Sequence, residues 1–168
     1  DRIVMPLLSW YDGNKRILPW RENRNPYRIW VSEIMLQQTR VEAVKPYFDR
    51  FLANLPDVES LASAPEEQLL KLWEGLGYYN RVKNMQKAAK MIVERYEGKM
   101  PTEYQMLLQL PGIGAYTAGA IASIAFERPV VAVDGNVLRI ITRLTADDSD
   151  VLNEKFKKEI QRKLEEIV

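Results

Sequence analysis

The stretch LPGIGAYTAGAI, residues 110–121, decides the fold. A short helical pattern from Glu103 to Gln109 leads into it, and an Ala- and Ile-rich run from Tyr116 to Phe126 leads out. The outgoing run has small apolar residues on every side, which suits a helix buried all round. Between the two, Gly112 and Gly114 let the backbone turn tightly and come close to another molecule. The backbone N–H groups around Gly112, Gly114 and Ala115 then face outward beside the positive end of the outgoing helix dipole. That arrangement binds a phosphate without side-chain charge. The glycines alone would also fit a plain turn. The helical flanks favour a helix–hairpin–helix unit seated on a DNA backbone.

Outward from this unit, nearly every segment repeats its apolar residues at helical spacing. Val41, Val44, Tyr47, Phe48, Phe51 and Leu52 form one stripe; Val82, Met85, Ala89, Ile92, Val93 and Tyr96 form another. Leu69, Leu70, Trp73 and Leu76 make a shorter one, and Val137, Leu138, Ile140, Ile141 and Leu144 a fourth. Only Pro129–Val133 looks strand-like, and it is too short to build a sheet. Gly and Pro clusters fall between the stripes, with no long linker. The expectation is an all-α fold. A last stripe, Leu152, Phe156, Ile160 and Leu164, needs cover from the first helix or from residues outside the chain. The chain starts without methionine and stops inside a helical pattern, so a piece of a longer protein is expected.

The 168 residues are 46% hydrophobic, enough for one core or two small lobes sharing one. No apolar run approaches the ~18 residues of a membrane span, and the first residues lack the pattern of a signal peptide. A soluble intracellular protein without membrane contact is expected. There is no cysteine and no histidine, so disulfides, thiolate sites and imidazole chemistry are excluded within the chain. Acid–base work falls to carboxylates, Lys or Tyr. Net charge is only +1, which is low for a nucleic-acid binder. The distribution is more suggestive: Lys15, Arg16, Arg21, Arg24 and Arg28 cluster against Glu22 alone, and Arg81, Lys83, Lys87 and Lys90 stand with no acid between them. Both are candidate phosphate-facing segments.

Two carboxylates stand out. Glu33 sits in IWVSEIML, residues 29–36, an otherwise strongly apolar helix. Lost hydration there would let its carboxyl keep a proton near neutral pH, although a surface Glu on an amphipathic helix would read the same way. Asp134 opens VDGNV just before a helical stripe, an N-cap position. Backbone donors there favour a carboxylate, and a purely structural cap would do the same. As a pair, one acid and one anion are what cleavage of a glycosidic bond requires. Gln37, Gln38 and Thr39, and the segment Gly75 to Arg81, add amides and aromatics that could replace a lost base's hydrogen bonds or wedge a base stack. A helix end and two core tyrosines is the alternative.

Together, LPWRENRNPYRIWVSEIMLQQTRV (18–41), WEGLGYYNRVKN (73–84), LPGIGAYTAGAI (110–121) and VDGNVLRIITRL (133–144) resemble the helix–hairpin–helix DNA glycosylases, and within them the MutY-type adenine glycosylases. The resemblance implies two helical lobes with the active site in the cleft between them. The first would span 20–125, with the hairpin unit at about 104–121, and a partial second lobe would comprise 1–19 plus 126–168. It also implies hydrolytic removal of adenine mispaired with 8-oxoguanine or guanine, by a monomer acting on duplex DNA, in the cytoplasm and nucleoid of a bacterium.

On that resemblance Glu33 matches the general acid and Asp134 the residue stabilising the sugar cation, with Tyr116 and Asn136 orienting them. Trp20 and Arg21 fall where the family lines its adenine pocket, and Gln38, Thr39, Leu76 and Tyr78 where it probes the opposite strand. Backbone carbonyls of Leu108, Leu110 and Ile113 match a site for Na+ or K+. Tyr116 stands where strand-cleaving relatives carry a Schiff-base lysine, so base removal without strand scission is expected. The family's [4Fe-4S] cluster needs four cysteines, which are expected in a longer parent chain, and this portion alone is expected to be weakly active or inactive. Two other readings stay open: a thymine or uracil mismatch glycosylase of the same fold, and a non-catalytic DNA-binding module.

Overall fold

The computed structural model describes residues 3–167. Among these the chain forms ten α-helices and one 3-10 turn, with no strand. α1 spans Val4–Asn14 and is followed by the 3-10 turn Pro19–Arg21. α2, Pro26–Met35, begins with the fixed φ of Pro26 and with the Asn25 side chain accepting from Arg28 N at 3.1 Å. Its IWVSEIM sequence is apolar around the whole circumference, and eight of its ten residues are buried. It is therefore a central element and not a surface helix.

The other helices arrange themselves around α2. α3 (Val41–Asn54) turns Val44, Phe48 and Phe51 inward, and α4 (Val58–Ser63) starts with a capping box between Asp57 and Ser60. α5 (Glu66–Trp73) and α6 (Asn80–Tyr96) contribute Leu69, Trp73, Met85 and Ile92 to the same core. The single turn α7 (Tyr104–Leu107) and then α8 (Ala115–Phe126) close it with Leu107 and Ile121. Each large side chain removed from water there contributes roughly 1.5–3 kcal/mol. α9 (Gly135–Thr145) and α10 (Glu154–Glu165) make a separate small cluster of Leu138, Phe156 and Ile160, flanked by Ile141 and Leu164. None of α1 is buried. No described helix is long and apolar enough to cross a membrane.

Three expectations change. Residues 129–133 form no strand: they run as irregular chain whose backbone lies against α8. The tail stripe is not covered by α1: Leu138 and Ile141 of α9 meet Phe156, Ile160 and Leu164, while Leu152 stays 76% exposed. Tyr78 and Tyr79 are exposed and not core residues.

Gly119 is what lets the 129–133 segment approach α8. A Cβ at that position would lie 2.5 Å from the Val131 carbonyl oxygen and 3.2 Å from Ala132 Cα. Both are backbone atoms, which cannot swing aside. Gly119→Ala is therefore expected to lower unfolding stability by about 1–3 kcal/mol, read as a lower denaturant midpoint at unchanged slope. A midpoint equal to that of the wild type would refute this packing account.

Candidate active site

Glu33 lies on the buried helix α2 and is only 7% exposed. Burial is the largest influence on its carboxyl and pushes its pKa up, because little water remains to solvate the anion. The Arg21 guanidinium and the Tyr116 hydroxyl pull it partly back, and the Asp134 carboxylate pushes it up again. Groups from four elements thus act on one another: the 3-10 turn, α2, the first turn of α8 and the N-cap of α9. The Tyr116 phenol is pushed up to about 12, first by burial and then by the charges of Glu33 and Asp134. At neutral pH it is an uncharged hydroxyl beside the acid.

Asp134 has the opposite surroundings. It caps α9, with Oδ1 accepting from the backbone N–H of Asn136 at 3.0 Å and of Val137 at 2.8 Å. Oδ2 accepts from the Asn136 side-chain amide at 3.0 Å. Three donors therefore fix the plane of this carboxylate at the positive end of a helix. Arg21 is held in turn by the Tyr11 hydroxyl, to which it donates at 2.9 Å. A desolvated carboxyl and an oriented, hydrogen-bonded carboxylate together supply a proton donor and a stabilising negative charge.

The remaining candidates divide. Trp20 is buried, edge-on to Phe48 at 5.4 Å between ring centroids, so it packs into the core and does not line an open surface. Gln38 and Tyr78 are exposed, and both hold positive φ, 60° and 47°. Thr39 is half-buried, its hydroxyl 3.4 Å from the Gln37 carbonyl. Leu76 departs from the expected base-probing position: it is 7% exposed and packs in the large core, leaving Tyr78 as the projecting side chain of that loop. Gly112, at φ 79°, sits against Asn84, whose Cβ would lie 2.9 Å from any Cβ added there. Gly114 caps α8 with no side-chain hydrogen bond, and among the described residues no acceptor meets the first N–H groups, those of Ala115 and Tyr116.

The charged segments are less available than their sequence suggests. Arg81 turns inward onto backbone carbonyls, and Lys83 pairs with Glu66 at 2.6 Å. Lys15 pairs with Asp12 and Arg24 with Glu127. The inward course of Arg81 was missed because a charge pattern does not show which arginines end on a helix terminus. At the hairpin, no backbone donor meets the carbonyls of Leu108 or Ile113 among the described residues, while that of Leu110 accepts from Ile113 N–H at 3.1 Å. Free carbonyl oxygens suit a monovalent cation. An iron–sulfur cluster is different: with no cysteine, these residues cannot hold one.

The family model described as HhH-GPD superfamily base excision DNA repair protein matches residues 31–168. Adenine DNA glycosylase of Mus musculus is 49% identical over 153 residues, covering 86% of this chain and 30% of the mouse protein. The adenine DNA glycosylase of Buchnera aphidicola subsp. Acyrthosiphon pisum is 42% identical, covering 96% of this chain and 46% of its own length. The chain thus spans less than half the length of these relatives. Among solved structures, a thermostable thymine-DNA glycosylase superposes with TM-score 0.87 at 27% identity, over 99% of this chain and 76% of its own. An endonuclease III–DNA complex superposes with TM-score 0.80 at 26% identity, over 99% and 77%.

Because the folded-state pKa of Glu33 is raised, its ionisation weakens folding as pH climbs from the ordinary carboxylate range through the raised value. Glu33→Gln is therefore expected to be more stable than wild type at neutral pH, with the advantage vanishing below that ordinary range. Thermal melts across pH check this. An advantage independent of pH would show that burial does not act on the charge.

Proposed function

The chain belongs to the HhH-GPD superfamily of base excision DNA repair proteins, and on that premise we propose that it is the catalytic portion of an adenine DNA glycosylase. The observation that carries this reading is the desolvated Glu33 in reach of Tyr116, Arg21 and the capped Asp134. Glu33 donates its proton to the ring of a flipped-out adenine, the C–N bond breaks with its electron pair leaving on the base, and Asp134 stabilises the sugar cation. Water then adds to the sugar and its proton leaves to Asp134 or solvent. Tyr116 cannot form an imine with the sugar, so the reaction stops at base removal.

The greater identity to adenine glycosylases than to the thymine enzyme favours adenine as the leaving base. We assign adenine opposite 8-oxoguanine or guanine as the substrate pair, Arg21 to the base pocket, and Gln38, Thr39 and Tyr78 to the strand opposite. The unshared N–H groups around Gly112, Gly114 and Ala115 would hold a backbone phosphate, supported by Na+ or K+ on the carbonyls of Leu108, Leu110 and Ile113. The separate clusters support two lobes, 20–125 and 1–19 plus 126–168, with the carboxylates at their junction. The protein would act as a monomer on duplex DNA, which in a bacterium is the nucleoid.

The test offers duplexes with A opposite 8-oxoguanine, A opposite G, and T opposite G. Adenine release from the first two is expected without alkali-independent nicking. Release of thymine alone would overturn the adenine reading, and nicking that keeps pace with base loss would overturn the hydrolytic one. Glu33→Gln should lower the single-turnover rate by about 100-fold or more. That rate in the wild type should fall on the alkaline side, as pH rises through the elevated pKa of Glu33.

A further inference from the structure

We propose that Arg81 is a positioning residue that locks Gln38 and Tyr78 into a single DNA-reading edge. Its guanidinium joins two segments distant in sequence. Toward the end of α2 it donates to the carbonyls of Ile34 at 2.8 Å, Met35 at 3.4 Å and Gln37 at 2.6 Å. Toward the loop before α6 it donates to Leu76 at 2.9 Å and Gly77 at 3.2 Å. The last carbonyls of a helix have no partner within it, and a cation there is favoured by the helix dipole. The same group lies over the Trp73 ring at 5.4 Å and the Tyr78 ring at 5.6 Å. A planar guanidinium can bond in its plane and stack on its faces at once, which a lysine cannot.

Each segment carries one exposed, non-glycine residue held in the left-handed region, Gln38 on the first and Tyr78 on the second. Such conformations persist only where the surroundings over-determine them. Arg81 bonds to the residue before Gln38 and to the residue before Tyr78, so it sets both conformations and the spacing between the two side chains. One is an amide able to replace the hydrogen bonds of a displaced base, the other an aromatic able to fill a base step. Both follow directly on elements of the core that contains Glu33, and Arg81 itself stays inside, away from substrate. The inference rests on the glycosylase reading for what this edge recognises, but not for the lock itself.

Binding to a duplex with A opposite 8-oxoguanine, and single-turnover excision at saturating protein, are compared for wild type and Arg81→Lys. Both are repeated in a Gln38→Ala/Tyr78→Ala background. Arg81→Lys is expected to weaken binding about tenfold or more in the first background and less than about threefold in the second, with the saturating rate within about threefold of its parent. Unchanged binding, or an equal loss in both backgrounds, overturns the proposal. Amide hydrogen exchange on the wild type needs neither folded variants nor activity: residues 37–39 and 76–79 should open as one unit. Independent opening overturns the lock. Absence of both mismatch binding and excision in the intact protein that carries these residues would overturn the glycosylase reading alone.

Discussion

The burial of α2 on all sides is the constraint from which the rest follows. A helix with eight of ten residues out of water needs neighbours around its circumference and partners for its terminal carbonyls. α3 and α8 pack along it and the 3-10 turn covers its start, while Arg81 satisfies its end. The one acidic residue on that helix, Glu33, is forced into the same dry environment. The raised pKa of Glu33 is thus a by-product of where the helix must sit. The neighbours that enclose it, at Arg21 and Tyr116, are also those that tune it.

Asp134 obeys a different rule. Its carboxylate is held by three N–H donors at the start of a helix that belongs to a separate small core. The irregular segment before Asp134 is pressed onto α8 where Gly119 leaves room. That contact between backbone atoms lies one helical turn from Tyr116 and two residues from Asp134. Small residues along α8 let the chain before α9 pack against it.

Much of this was legible in the sequence, and the losses have identifiable causes. Helical stripes are local, so Phe48, Met85 and Ile121 were placed inward correctly, as was the all-round apolar α8. The cap at Asp134 and the dry position of Glu33 are also local signals. Pairings between stripes are not local: α9 and α10 cover each other, which neither stripe discloses alone. The run 129–133 has strand-like composition but no partner strand to bond. Leu76 and Tyr78 share a loop, and only the tertiary path shows that one is buried and the other projects. Arg81 reads as surface charge until its partners, more than forty residues away, are seen.

The pairing of surface cations has a bearing on ionic strength. Lys15, Arg24 and Lys83 each already have a carboxylate partner, and Arg81 is committed internally. Arg16, Lys87 and Lys90 stay exposed with no carboxylate partner among the described residues, and they are the groups placed to displace counterions condensed on a duplex. A phosphate held by outward N–H groups at the start of α8 draws on fixed dipoles instead. On the proposed reading, recognition of this kind would lean more on shape and hydrogen bonding, and less on counterion release, than a lysine-studded surface does.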